Sequence, residues 1–92
     1  MRQVIKKILQ EDGRDRLSGI IKKYIESTIS TEYQDEICNI EVTDSEGLYR
    51  KIYRITITFD VVPSSNQVNI MTDVFLMVHR FFDITPEMES RF

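Results

Sequence analysis

The one cysteine and one histidine of this 92-residue chain are the first residues to test for chemistry. A thiolate beside an imidazole would be a nucleophile and base pair suited to acyl transfer. Cys38 stands in the alternating run Cys38-Asn39-Ile40-Glu41-Val42-Thr43, on the side shared with Ile40 and Val42. A small cysteine on such a face serves as an inert core residue. His79, in Met77-Val78-His79-Arg80, falls in a stretch of helical spacing and reads as a helix-surface side chain. A Cys38–His79 dyad is the catalytic alternative, since a strand and a helix can meet. No orienting third group or oxyanion-hole glycine stands near either residue in sequence. One cysteine with one histidine also argues against a zinc site built from those two residue types. Asp35-Glu36 and Glu87-x-Glu89 lack a spaced third ligand and read as solvated charge. Gly13, Gly19 and Gly47 are too scattered for a phosphate-cradling loop. The expectation is a chain that is not an enzyme and has no catalytic, cofactor or metal site.

Binding is the remaining chemistry. Arg50, Lys51 and Arg54 accompany Tyr49 and Tyr53, and aromatics beside basic residues on a sheet can stack bases. Tyr53, however, heads an apolar row that continues into Ile55, Ile57 and Phe59, which is core patterning. The net charge of −3 is also far from the basic excess of a duplex-binding protein. Charge is unevenly laid out. Residues 1–23 carry seven Lys/Arg against three acids, whereas residues 24–49 carry seven acids and no Lys/Arg. These stretches are either solvated faces that can pair with each other, or a basic head that contacts the acidic middle of another copy or an acidic partner.

Ninety-two residues hold one small core at most. A hydrophobic fraction of 41% and a charged fraction of 29% are ordinary globular values. No apolar run approaches the ~20 residues of a membrane helix, and the N-terminus has no signal-peptide core. The expected protein is neither secreted nor transmembrane.

The elements follow from periodicity. Val4, Ile5, Ile8 and Leu9 form one face of a short amphipathic helix, and residues 1–12 read as a docking segment ahead of a single body at 13–92. Leu17, Ile20, Ile21, Tyr24 and Ile25 predict a second helix at 14–29. The period then changes to two. Cys38, Ile40 and Val42 form one strand, Asp44-Ser45-Glu46-Gly47 a turn, and Tyr53, Ile55, Ile57 and Phe59 the apolar face of a second strand. Matching the apolar faces pairs Val42 with Tyr49, Cys38 with Tyr53 and Glu41 with Arg50. Ser64 and Gln67 resemble a capping box opening a helix at about 66–82, with Met71, Val74, Phe75 and Val78 facing inward. Residues 87–92 read as a tail. The fold class is α+β in the order α-α-β-β-α, a β-hairpin packed on amphipathic helices.

Two features point to a partner. The last helix carries Ile70, Leu76 and Met77 beyond its main stripe, which implies either burial by a partner or a deeply buried helix. A two-stranded hairpin leaves two open edges. The expected partner is another protein or further copies of this chain, bound through Val4, Ile5, Ile8, Leu9, Ile70, Leu76 and Met77. Nucleic acid, bound through Arg50, Lys51 and Arg54, is the alternative. No membrane or cofactor is expected.

The opening Met1-Arg2-Gln3-Val4-Ile5-Lys6-Lys7-Ile8-Leu9-Gln10-Glu11 resembles the start of many small proteins of tailed bacteriophages, a short basic-apolar helix ending in acid and followed by a small α/β body. The resemblance covers about 11 of the 92 residues. It implies a virion-associated or host-interacting protein, located in the virion or the host cytoplasm, with Val4, Ile5, Ile8 and Leu9 as anchors. It brings no active site with it.

Overall fold

The strongest β-former in the chain, Lys51–Phe59, lies at the centre of the sheet and is flanked on both sides. The computed structural model describes residues 17–60 and 64–92, so the expected docking helix with Val4, Ile5, Ile8 and Leu9 lies outside the described residues. The described elements are α1 (Leu17–Thr28), a single turn α2 (Thr31–Gln34), β1 (Ile37–Glu46), β2 (Lys51–Phe59), α3 (Gln67–Phe82) and β3 (Glu87–Arg91). The fold is α+β, with a three-stranded mixed sheet in the order β1-β2-β3. β1 pairs antiparallel with β2, whereas β3 lies parallel to β2 and is reached through α3.

The third strand corrects the expected C-terminal tail. Met88 and Ser90 alternate with Glu87, Glu89 and Arg91, a period-two pattern with one large apolar member. It matches an edge strand, where exposed charge blocks unwanted pairing. Arg54 on β2 selects this neighbour. Its Nη2 lies 2.9 Å from Glu87 Oε2 and its Nη1 3.9 Å from Glu89 Oε2, while Glu89 also accepts from Arg91 Nε at 2.6 Å. These pairs are exposed and individually weak, so they contribute register more than stability.

The hairpin register is also corrected. Val42 faces Ile55 rather than Tyr49, Glu41 faces Thr56 rather than Arg50, and β1 runs on to Glu46. Val42's partner thus lies six residues further along β2, an even slip that keeps Ile40, Val42, Ile55 and Ile57 on their expected face. The observed pairing sets Ile40 against Ile57 and Val42 against Ile55, inside the core. The expected one would have carried Ile57 and Phe59 past the start of β1. The turn forms at Gly47–Arg50, where the Gly47 N–H donates to the Arg50 carbonyl at 2.9 Å. A Cβ at position 47 would collide with that carbonyl, so the turn requires glycine. Cys38 is displaced from the expected core: it sits at a register shift between Ile37 and Asn39 and is exposed.

Both long helices pack on one face of the sheet. Ile21, Ile25 and Ile29 from the α1 side and Ile70, Val74 and Val78 of α3 form one cluster with Ile40, Ile55, Ile57 and Phe59. Tyr24 stacks on Phe81 at 4.3 Å and meets Phe82 edge-on at 5.4 Å, closing the helix pair at the end of α3. α3 stops at Asp83, which adopts the left-handed conformation (φ 57°) and returns its N–H to the His79 carbonyl at 3.0 Å. The expected capping box does not form. The Ser64 hydroxyl turns to Glu36, and the Gln67 side chain donates to Ser90 Oγ at 3.0 Å, tying the start of α3 to β3.

Ile57 is fully buried at the centre of this arrangement, so Ile57→Ala should cost about 2–5 kcal/mol. The same truncation at exposed Leu48 should stay within about 0.5 kcal/mol. Urea denaturation of the two variants measures both.

Candidate interaction site

The most exposed large apolar side chains of the described residues meet at one turn. Leu48 is 87% and Tyr49 94% exposed, and Arg50 and Lys51 follow them directly. An adjacent aliphatic and aromatic pair this exposed marks a candidate contact surface. The backbone hydrogen bond from Gly47 to Arg50 holds this tip in one shape. Beneath it, a groove of about 600 Å³ runs between the hairpin and the α3–β3 connection, with Leu17, Tyr53 and Ile84 among its walls. Asp44 and Glu46 lie behind the tip, where burial and these two carboxylates raise the Tyr53 phenol above its usual range.

Away from the tip, a second hollow of about 380 Å³ opens between the end of α1 and the flank of α3. Ile29, Tyr33, Leu76 and Met77 supply apolar walls, with Asp73 and Arg80 at the rim. Burial, then Asp73, then Glu32 raise the Tyr33 phenol above its usual range, which marks a locally negative field.

The structure sorts the predicted binding residues into separate places. Leu76 and Met77 come together in the α1–α3 hollow, each half-buried. Ile70 does not join them. It is fully buried in the core and unavailable to a partner, because it lies on the sheet side of α3 with Val74 and Val78. Arg50 and Lys51 are at the tip, but Arg54 lies on the open face of the sheet, engaged by Glu87 and Glu89. The three cations therefore do not form one patch. Cys38 lines a shallow hollow beside Glu26 and Gln34, at the start of β1. His79 belongs to the opposite end, with its Nδ1 2.8 Å from the Ile84 carbonyl and its ring stacked on Phe75. A carbonyl only accepts, so Nδ1 carries the proton there. The two residues of the conceivable dyad are not brought together. Among the described residues no group of three or more His, Cys, Asp or Glu side chains could hold a metal ion, and no helix is long and apolar enough to cross a membrane.

Sequence reasoning missed two features. The periodicity sets Tyr49 in the ladder opposite Val42 and singles out nothing at Leu48, whereas both stand on the exposed tip. The Leu-Tyr pair directly after Gly47, within a stretch of turn residues, was the available signal. Glu36, read as solvated charge, is a clamp. Its Oε1 accepts from Ser64 Oγ at 2.8 Å and its Oε2 from Asn66 Nδ2 at 2.6 Å, while its carbonyl accepts from the Asp60 N–H at 2.9 Å. One residue thus joins the entry to β1, the exit from β2 and the start of α3.

No protein-family model, curated protein or solved structure matches this chain. The functional reading rests on the geometry itself.

The hydrogen bonds from Asn66 and Ser64 hold the Glu36 carboxyl below the usual carboxylate range. A depressed native pKa adds stability above the unfolded-state value, and that stability is lost as pH falls through the native one. Glu36→Gln should therefore lower Tm near neutral pH. The gap to wild type should narrow once the pH drops below about 4.5, the ordinary value for the group. Thermal melts across the acid range measure it.

Proposed function

We propose that this chain is a non-enzymatic structural or assembly protein that works through protein–protein contacts, with further copies of itself as the partner. The hairpin tip carries the reading: two large apolar side chains, Leu48 and Tyr49, stand almost wholly in solvent on a turn braced by its own backbone. A braced apolar projection loses little conformational freedom when it binds, which is the property that makes aromatic residues effective interface anchors. The sheet adds to this support. β1 and β3 are edge strands, and each presents a row of backbone groups without a partner strand among the described residues. Leu76 and Met77, half-buried in the α1–α3 hollow, supply a receiving surface. The basic-apolar opening of the chain, with its likeness to small tailed-phage proteins, supports assembly within a virion or the host cytoplasm.

The nucleic-acid alternative has less support. Its cations are divided between the tip and the open sheet face, and Arg54 is already engaged by two carboxylates.

Sedimentation or native mass measurements over a concentration series test the proposal. The average mass should rise with concentration above that of the 10.9 kDa chain. A mass that stays at one chain throughout overturns it.

A further inference from the structure

We infer that copies of this chain associate head to tail, the Leu48-Tyr49 tip of one copy seated in the α1–α3 hollow beside Leu76 and Met77 of the next. This rests on the assembly reading above and specifies its contact.

Three observations select a second copy as the occupant. The first is chemical match. The tip offers an aliphatic and an aromatic side chain, both more than four-fifths exposed, and the hollow offers apolar walls from Ile29, Leu76 and Met77. About 380 Å³ is within the range of pockets that enclose a small ligand, and two side chains occupy a comparable space.

The second is charge. Among the described residues Arg50 is the tip's free-standing cation, with no acid among residues 47–51, whereas Lys51 faces Glu46 across the ladder. Around the hollow, Asp73, Glu32 and Glu36 act together on Tyr33, against Arg80 as the rim cation. Arg50 entering a rim that holds Asp73 and Glu32 places opposite charges at the edge of an apolar contact. There they steer approach and fix orientation.

The third is placement. Leu17, at the start of α1, lines the groove under the tip, whereas Thr28, at the end of α1, lines the hollow. Eleven residues of helix separate them by about 16 Å. The tip and its own hollow thus lie toward opposite ends of α1, so the contact joins unlike surfaces of different copies. Contacts of this kind propagate into an open series, which keeps one free tip and one free hollow at its two ends, or close as a ring, which keeps neither.

Two variants and their mixture test this. A tip variant, Leu48→Ser with Tyr49→Ser, alters only solvent-exposed side chains. A hollow variant, Asp73→Lys with Leu76→Ser, alters the receiving surface; should it fail to fold, Asp73→Lys alone replaces it, because Asp73 is exposed. Wild-type chain should form a concentration-dependent series of masses. Each variant alone should associate roughly tenfold or more weakly. An equimolar mixture should form a dimer with one chain of each kind and stop there, since one intact tip then meets one intact hollow. Tip-variant chains that assemble as wild type does, or a mixture no larger than the separate variants, overturn the head-to-tail contact and leave the assembly reading in place. Wild-type chain that remains single overturns both.

Discussion

Everything in this domain depends on the inner row of β2. Tyr53, Ile55, Ile57 and Phe59 share one face, and both neighbouring strands and both long helices take their positions from it. Ile55 and Ile57 have no accessible surface, and Ile40, Val42 and Met88 flank them across the sheet. Each fully buried isoleucine contributes roughly 1.5–3 kcal/mol relative to exposure, a large share of the margin available to a domain of this size. A single helical layer then closes the core, so the sheet keeps one dry face and one wet face.

The wet face shows what that arrangement costs and how the sequence answers it. Arg54 stands between Glu87 and Glu89, and Glu89 continues to Arg91. Thr56, although on this side, is almost buried because Glu41 and Glu89 lie across from it on the two flanking strands. The result is a surface of hydroxyls and matched charges that offers little to an apolar partner. Among the exposed large apolar side chains Val68 and Phe92 stand apart, while Leu48 and Tyr49 are adjacent and the most exposed, and for that reason the functional reading moves to the hairpin tip.

Much of this was legible in the residues. The stripe Leu17, Ile20, Ile21, Ile25 marks α1, and Met71, Val74 and Val78 mark α3, because helical spacing is redundant over three or four turns. The inner face of β2 was equally plain, and so was the side of β1 that meets it. Pairing register was not. Alternation repeats every two residues, so a slip of six leaves the pattern unchanged, and only the close approach at Gly47 decides where the chain turns. β3 was obscured because three of its five residues are charged, and the reason for those charges is Arg54, a residue 33 positions earlier. Leu76 and Met77, expected as spare apolar surface on α3, are half-buried beside one hollow, with Met77 packed against the core cluster. Ile70 was assigned with them, yet it is core, since the phase of a helix relative to a sheet is set by packing and not by the helix alone.

The parallel pairing of β3 also shapes how the domain comes together. β1 and β2 join through a four-residue turn and can zip locally, whereas β3 must find β2 across the whole length of α3. Closing that longer loop costs more chain entropy than closing the hairpin turn. Until it happens, one side of β2 is bare, with Arg54 waiting for its carboxylates. The Glu87–Arg91 segment of a neighbouring molecule carries the same residues and would match that side with the same ladder. Exchange of this strand between molecules during refolding at high concentration is therefore built into the topology, as a competing route to the same sheet.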